Sequence, residues 1–342
     1  MNNKKEALYY NPLENNAVQC LLCPHNCVLE DGYKGVCQVR KNLGGKLYAL
    51  SYGIVSAINI DPVEKKPLYH FNPGKHILSV GGFGCNMRCM YCQNHAISQV
   101  CDVDLPKDKT YTPESIIEIH QRTNNSCGIA FTYNEATVNY EFVLETAKLA
   151  LQHQIPVVLV TNGFINKEPL LELLPYVSAL NIDLKAFNDD FYRKYTGGSI
   201  LPVLETILTA HAAKKHVEIT FLAINGLNDR PAEFNLMVEW IKENLGAQVP
   251  LHISKYFPNY KLTNVATPES TLITLLGIAT QKLNYIYLGN IDSSEHSKTR
   301  CTNCYSVLVE RTGYEIRLVE LNTKGECNNC KTHANFIFSE LH

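Results

Sequence analysis

The sequence predicts an α/β protein in which a parallel sheet is covered by helices. Over residues 76–292, short apolar runs typical of buried strands alternate with stretches typical of helices, in about six repeats. Strand–helix repeats of this length require parallel strands joined by helical crossovers. Spacing alone leaves a full eightfold barrel and an open sheet as alternatives. Cysteine-rich segments flank this unit, so we predict three domains: residues 1–75, 76–292 and 293–342.

The elements of the central unit follow in chain order. A strand over 76–80 leads into a cysteine-rich loop, and the next helix begins with Thr112 as N-cap and Pro113 in its first turn. Strands are then predicted over 127–133, 156–163, 179–187, 216–224, 250–257 and 285–290, with helices over 138–153, 167–176, 201–215, 231–245 and 268–283. Because catalytic residues gather at the carboxyl ends of parallel strands, candidate site residues are sought there.

Composition favours a globular protein in a reducing compartment. The 342 residues are 45% hydrophobic and 19% charged, which is enough apolar material for a substantial core. A net charge of -2 gives no support for a nucleic-acid surface. No signal peptide or membrane-crossing stretch is evident, so a cytoplasmic location is expected. The thirteen cysteines then indicate metal ligands or catalytic thiols rather than disulfides.

The loop over 81–99 carries Cys85, Cys89 and Cys92 in the spacing C-x3-C-x2-C, with two glycines just upstream. Three thiolates on one loop can hold three irons of a [4Fe-4S] cube. The fourth iron is then open to a small molecule that carries an amine and a carboxylate. A zinc knuckle is the alternative, although zinc sites favour paired C-x2-C and this loop has no obvious fourth ligand.

Two groups of four cysteines flank the central unit. The N-terminal group, with spacing C-x2-C-x3-C-x9-C, comprises Cys20, Cys23, Cys27 and Cys37. Structural zinc is its leading interpretation and an auxiliary iron–sulfur cluster is the alternative, since both take four thiolates. The C-terminal group forms two C-x2-C knuckles around a β-rich stretch and comprises Cys301, Cys304, Cys327 and Cys330. It predicts a zinc ribbon, with rubredoxin-type iron as the alternative. Cys101 and Cys127 stand apart and are interpreted as buried small hydrophobes.

The cysteine loop, with Tyr91 before its third cysteine, resembles the signature of radical S-adenosylmethionine (SAM) enzymes. Further stretches extend the resemblance over nearly the whole chain: CLLCPHNC with GVCQVRKN, IDPVEKKPLYHFNPG, the loop at Glu135, IDLKAF with YTGG, and the terminal ribbon. Together they resemble the radical SAM proteins of the AmmeMemoRadiSam system, which are related to pyruvate formate-lyase activating enzymes. The resemblance implies a partial (β/α)6 barrel, a [4Fe-4S] cluster and SAM.

The resemblance also implies a mechanism and partners. One electron from a flavodoxin or ferredoxin would cleave SAM at the cluster, and the 5′-deoxyadenosyl radical would abstract hydrogen from a substrate that the motifs do not identify. AMMECR1-like and Memo-like proteins are the implied partners. A glycyl-radical-enzyme activase acting on a partner protein is the first alternative. A non-catalytic metal-binding scaffold is the second.

Candidate SAM-binding residues follow predicted strands. Glu135 fits the family's acidic position for the methionine ammonium, although it could instead cap the next helix. Asp183 and Lys185 share one strand face, where opposite charges are costly unless functional or paired. The same D-L-K triplet contacts SAM in the activases that the sequence resembles. Weaker candidates are Asn162, Asn225 and His252, of which His252 could equally be a satisfied core residue, and Asn290 could border the substrate.

Overall fold

A computed structural model of the chain describes residues 5–100, Leu105 and residues 110–339. Cys101 therefore lies outside the described residues. The model centres on an eight-stranded sheet in which the strands follow one another in sequence order. Its strands are β7 (Ala57–Pro62), β8 (His76–Gly81), β9 (Ser126–Thr132), β10 (Val157–Thr161), β11 (Ala179–Asp183), β12 (His216–Ala223), β13 (Leu251–Lys255) and β14 (Ile286–Gly289).

The strands from β8 to β14 are parallel, and β7 joins β8 as an antiparallel edge strand. The helices are α1 (His95–Ser98), α2 (Pro113–Gln121), α3 (Tyr140–Gln152), α4 (Lys167–Leu173), α5 (Asp189–Phe191), α6 (Ile200–Ala212), α7 (Pro231–Leu245) and α8 (Glu269–Ala279). At least one helix lies between each pair of successive parallel strands, so the predicted parallel sheet is confirmed. Within the described residues β7 and β14 do not pair with each other, and closure into a partial barrel stays a prediction.

The cysteine-rich ends fold as small antiparallel sheets. The N-terminal strands are β1 (Lys5–Glu6), β2 (Tyr10–Pro12), β3 (Val18–Cys20), β4 (Val28–Leu29), β5 (Arg40–Leu43) and β6 (Lys46–Ala49), and they form two three-stranded sheets. The C-terminal strands are β15 (Thr299–Arg300), β16 (Val307–Thr312) and β17 (Glu315–Leu318), which form one sheet. The C-terminal sheet packs on the central one, because Tyr285 and Tyr287 share a hydrophobic cluster with Leu308 and Phe336.

The segment over residues 63–72 crosses one face of the central sheet and covers the amino-terminal half of its strands. The carboxylate of Glu218, near the start of β12, accepts hydrogen bonds from the backbone N–H groups of Tyr69 and His70 at 3.0 and 2.7 Å. The side chain of Asn181 in β11 donates to the carbonyl of Pro67 at 2.8 Å. This covering leaves the carboxyl ends of the strands as the accessible part of the face.

Among the described residues, no helix has the length and apolar character needed to cross a bilayer.

Candidate cofactor site

The cysteine loop leaves the carboxyl end of β8, as the sequence predicts. Cys85 and Cys89 are buried and Cys92 is half-buried. The backbone N–H groups of Arg88 and Met90 donate to the carbonyls of Thr196 and Tyr195 at 2.6 and 2.9 Å, which fixes the loop against the segment after α5. The three thiols are therefore presented by a loop that is anchored on both sides.

A cavity of about 610 Å³ opens in front of this loop, within the size range of small-ligand sites. It is lined by the three cysteines and by four residues that the sequence nominated: Glu135, Asn162, Asp183 and Lys185. Asn290, proposed to border the substrate, lines it as well. Side chains from separate loops after β8, β9, β10, β11 and β14 thus meet in one space, because the carboxyl ends of parallel strands share one edge.

Glu135 is 2% exposed and fixes two loops. Its Oε1 accepts from the N–H and hydroxyl of Thr137 at 3.1 and 2.7 Å and from the hydroxyl of Thr161 at 2.8 Å. Its Oε2 accepts from the N–H of Asn162 at 2.7 Å. Glu135 therefore caps the helical turn Ala136–Asn139, as the alternative interpretation holds, while also lining the cavity. Burial raises the pKa of Glu135, although the bonds from Asn162 and Thr137 oppose that shift.

Asp183 and Lys185 form an ion pair in the cavity wall. Lys185 Nζ lies 2.7 Å from Asp183 Oδ2, and the Lys185 side chain is 14% exposed. Burial works to lower the pKa of Lys185, but the negative charges of Asp183 and Cys89 outweigh it and raise the pKa well above the usual value. The pair therefore presents a fixed ammonium group beside Cys89.

Asn162 contacts the cysteine loop itself. Its side-chain amide donates to Asn86 Oδ1 at 2.9 Å and lies 3.7 Å from Cys85 Sγ, and its oxygen accepts from the N–H of Phe164 at 2.9 Å. Hydrogen bonds to ligand sulfurs tune the potential of iron–sulfur clusters. The structure thus directs the Asn162 amide towards Cys85 while Asn162 also lines the cavity.

The structure does not bring Asn225 or His252 into the cavity lining. The carbonyl of Asn225 accepts from the side chain of Asn264 at 3.1 Å. The sequence predicts His252 at the carboxyl end of its strand. This prediction is wrong, because His252 is the second residue of β13 and lies near its amino end. Its Nε2 lies 2.7 Å from Glu218 Oε2, so the ring is held under the segment 63–72. This is the satisfied core histidine that the sequence left as the alternative.

Two lysines that sequence analysis did not nominate also line the cavity. Lys65 and Lys66 bind the carboxylate of Asp61 at 2.8 and 2.6 Å, and the hydroxyl of Tyr133 donates to the same carboxylate at 2.5 Å. Burial works to raise the pKa of Asp61, but these three donors outweigh it and lower the pKa. Tyr314, from the turn between β16 and β17, lines the cavity too. The motif IDPVEKKPLYHF was the available signal, since it is one of the stretches that carry the family resemblance.

The N-terminal quartet lies directly behind the cysteine loop. Cys20 and Cys37 are buried, and Cys23 and Cys27 are half-buried. The sulfurs of Cys27 and Cys37 flank Gly35, where an added Cβ would lie 3.7 and 3.8 Å from them. The Cys20 N–H donates to the Cys27 carbonyl at 2.9 Å, which brings the first and third members together. These contacts place Cys20, Cys27 and Cys37 in one region, and a metal held by the four cysteines stays a prediction.

The C-terminal quartet is more compact. The sulfurs of Cys301, Cys304, Cys327 and Cys330 all lie within 4.8 Å of one another. Cys301 and Cys330 are 3.4 Å apart, and Cys304 and Cys327 are 3.6 Å apart. Hydrogen bonds with Thr332 lower the pKa of Cys330 to about 5. This is the C-terminal metal-binding cluster that the two knuckles predict.

Comparison with known proteins agrees with this site. The family model described as the radical SAM superfamily matches residues 79–238. The uncharacterized protein MJ0808 of Methanocaldococcus jannaschii is 40% identical over 329 residues, which cover 96% of this chain and 97% of that protein. The chain belongs to the radical SAM superfamily. Pyruvate formate-lyase 1-activating enzyme of Escherichia coli K12 is 26% identical over 220 residues, which cover 58% of this radical SAM chain and 86% of that enzyme.

Among solved structures, Streptococcus suis SuiB bound to S-adenosylmethionine matches with a TM-score of 0.49 and 13% identity, covering 60% of this chain and 48% of that chain. Membership of the radical SAM superfamily implies a [4Fe-4S] cluster and SAM. The donor set fits both groups, because three thiols on one anchored loop share a cavity with an ammonium and a carboxylate. Cys85, Cys89 and Cys92 are the residues that would hold the cluster.

Proposed function

We propose that this radical SAM enzyme binds SAM between the cysteine loop and the Asp183–Lys185 pair and removes hydrogen from a substrate held near Lys65 and Lys66. The observation that carries the proposal is that one cavity is lined by all of these groups. When bound, the cluster and SAM supply one-electron cleavage of the sulfonium to a 5′-deoxyadenosyl radical. The residues of the chain supply binding, orientation and charge.

Two charged groups are suited to the methionine end of SAM. Among the described residues the Lys185 ammonium has a single carboxylate partner, Asp183, and it can donate its remaining hydrogens to the SAM carboxylate. At Glu135, Oε1 already accepts three hydrogen bonds while Oε2 accepts one, so Oε2 retains a position for the SAM ammonium. We do not assign a SAM contact to Asn225 or His252, because neither lines the cavity.

The substrate side of the cavity is rich in donors. Lys65 and Lys66 share one carboxylate, Asp61, so this group carries one excess positive charge. Asn290 and Tyr314 add an amide and a phenol. These groups favour a substrate with an anionic or strongly accepting group, and the cavity volume of about 610 Å³ suits a small molecule or a single modified residue.

Anaerobic reconstitution with iron and sulfide, followed by dithionite and SAM, tests the central step. We expect 5′-deoxyadenosine to accumulate with the native chain and to be absent from a Cys89→Ala variant. Equal, background-level product from both proteins would contradict the enzymatic proposal and favour the metal-binding scaffold.

A glycyl-radical-enzyme activase is the second candidate, because the chain is similar to an Escherichia coli enzyme named as an activator of pyruvate formate-lyase. An activase would yield a protein-bound glycyl radical on a partner, detectable by electron paramagnetic resonance (EPR). A small-molecule enzyme would instead transfer deuterium from a labelled substrate into 5′-deoxyadenosine.

The remaining assignments are proposals of the same kind. A single tetrahedral zinc ion with Zn–S bonds of about 2.3 Å holds its sulfurs about 3.8 Å apart, which supports zinc in the C-terminal quartet.

A flavodoxin or ferredoxin is proposed as the electron donor, and AMMECR1-like and Memo-like proteins as partners, on the motifs that resemble their system. A reducing, cytoplasmic setting accords with thiols reserved for metals.

A further inference from the structure

The ligand loops of the N-terminal quartet and of the SAM cluster are in direct contact. His25, between Cys23 and Cys27, lies with Nε2 2.7 Å from the carbonyl of Asn86, the residue after Cys85. The side chain of Arg88, between Cys85 and Cys89, donates to the carbonyl of Val36, the residue before Cys37. Each of these two contacts joins a residue near a cysteine of the N-terminal quartet to a residue near a cysteine of the SAM-cluster loop.

A third contact concerns Gly84, which directly precedes Cys85. An added Cβ there would lie 2.7 Å from the carbonyl oxygen of Cys37, and the backbone φ of +85° is one that favours glycine. The backbone next to a SAM-cluster ligand therefore touches the backbone of an N-terminal ligand. A short path of bonds and contacts connects the two metal sites.

Sulfur spacing distinguishes the two quartets. The C-terminal sulfurs lie within 4.8 Å of one another, as a single metal ion requires, whereas within the described residues no three sulfurs of the N-terminal quartet meet that limit. The sulfurs of Cys85, Cys89 and Cys92 do not meet it either. An iron–sulfur cluster spreads its ligands more widely than zinc does, because each thiolate binds a different iron. The N-terminal quartet is therefore, like the SAM-cluster ligands, more widely spaced than a single metal ion requires.

A buried cation stands beside this quartet with unused donors. Arg40 is 1% exposed, and its Nη2 binds Glu141 Oε1 at 2.8 Å and the carbonyl of Leu8 at 2.6 Å. Both its Nε and its Nη1 are buried, and neither has a hydrogen-bond partner among the described residues. Buried polar groups are normally satisfied, and Arg40 lies close enough to Cys20 and Cys37 to interact with them electrostatically, so an acceptor held by the quartet could satisfy these N–H groups. Thiolates and sulfides of a cluster would provide one.

We propose that Cys20, Cys23, Cys27 and Cys37 hold an iron–sulfur cluster that relays single electrons to the Cys85–Cys89–Cys92 site. The relay rests on the proposed SAM-cleaving function, whereas the identity of the metal does not. A reduced flavodoxin or ferredoxin would lose one electron and the N-terminal cluster would gain it. The same electron would then pass to the SAM cluster, which returns the N-terminal cluster to its oxidised state, with no proton or bond change.

Metal analysis of a Cys85→Ala/Cys89→Ala/Cys92→Ala variant of the full chain tests the metal. After anaerobic reconstitution we expect about four irons per chain to remain, with a Mössbauer spectrum of an iron–sulfur cube, together with zinc in the C-terminal quartet. A variant free of iron but containing zinc in both quartets would overturn the proposal. This readout does not depend on SAM cleavage.

A Cys23→Ser/Cys27→Ser variant tests the relay, with retained C-terminal zinc and retained SAM-cluster iron as evidence that it folds. We expect reduction of the SAM cluster by reduced flavodoxin, followed by EPR, to slow at least tenfold. Reduction by dithionite, which reaches the cluster without a protein donor, should stay within twofold of the native rate. Equal flavodoxin rates in the two proteins would overturn the relay. Should this variant fail to fold, the metal analysis above still decides whether the quartet holds a cluster, and a quartet without iron would overturn the relay as well.

Discussion

The two cysteine quartets of this chain are alike in ligand type and number but differ in what surrounds them. The C-terminal sulfurs lie close together beside a small hydrophobic cluster, in which Cys301 and Cys327 pack with Leu308 and Phe336 and with Tyr285 and Tyr287 of the central unit. The N-terminal sulfurs are more widely spaced and lie against the loop that holds Cys85. The comparison teaches that the same set of four thiols can be built either into a structural module or against a second ligand loop.

The largest expected effect comes from removing the C-terminal metal. In small zinc domains, metal binding contributes on the order of 10 kcal/mol of folding free energy, and the sheet β15–β17 has only three strands, which pack on Tyr285 and Tyr287. We expect a zinc chelator, or Cys327→Ser, to raise amide hydrogen exchange across residues 299–336 by at least 100-fold. Exchange in the N-terminal strands β5 and β6 should change little.

Mass spectrometry resolves the two regions in a single experiment. If both quartets lost protection together on zinc chelation, they would hold the same metal, and the contrast drawn between them would be wrong.

The second effect concerns the buried pair that supports the N-terminal quartet. Arg40 and Glu141 have side-chain exposures of 1% and 0%, and removing one partner strands a buried charge. Arg40→Met should therefore lower the free energy of unfolding by about 3–5 kcal/mol. The matched surface pair, Arg193 with Asp189, is 70% and 37% exposed, so Arg193→Met should cost less than about 1 kcal/mol.

Urea unfolding measures both variants. We also expect Arg40→Met, but not Arg193→Met, to reduce the iron bound at the N-terminal quartet. Equal losses of stability in the two variants would show that the Arg40 pair is no more than a surface contact in energetic terms.

Most of the site was predictable because it depends on local pattern. The parallel strands and the positions of the cysteine loop, Glu135 and the Asp183–Lys185 pair at strand ends follow from periodicity, whereas the SAM-binding roles of these residues rest on the family resemblance. His252 could not be placed in the same way, because a shift of a few residues in strand register moves a side chain from one end of the sheet to the other. Its partner Glu218 lies on another strand, which sequence spacing does not reveal.

The unpredicted lysines have a different origin. Lys65 and Lys66 come from the connection between β7 and β8, which folds back across the sheet, so their place in the cavity depends on contacts distant in sequence. Metal type was equally hidden, because sequence gives the number of ligands and not the distances between sulfurs. The structure supplies those distances for the C-terminal quartet and a limit on them for the N-terminal one.

The third prediction tests the contact between the ligand loops. Gly84→Ala places a Cβ against the Cys37 carbonyl and forces a left-handed backbone onto alanine, at a cost of about 1–3 kcal/mol. We expect an altered EPR signal from the N-terminal cluster and unchanged C-terminal zinc. Gly277→Ala is the control, because Gly277 lies in α8 with no atom near its missing Cβ. Indistinguishable spectra from the two variants would mean that the loops are not coupled at Gly84.

The smallest expected effect concerns Cys330 of the C-terminal quartet and its resistance to protonation. Hydrogen bonds with Thr332 lower the pKa of Cys330 to about 5, below the usual thiol value of 9.0. For a group whose folded pKa is depressed, the stabilisation is present above the unfolded pKa and is lost as the pH falls through the folded pKa. The Cys330 thiolate thus resists protonation, and zinc should be retained in mild acid.

Thr332→Val removes the hydroxyl but keeps the backbone N–H, so only part of this protection is lost. We expect the midpoint of acid-induced zinc release, followed with a chromogenic chelator, to rise by roughly half a pH unit, since the exposed site screens the interaction. Thr323→Val, at an exposed position of the same module, should leave the midpoint unchanged. Identical midpoints for the two variants would show that the Thr332 hydroxyl does not stabilise the Cys330 thiolate. Iron bound at the N-terminal quartet should not respond to either change, because its ligands have no contact with Thr332 in the described structure.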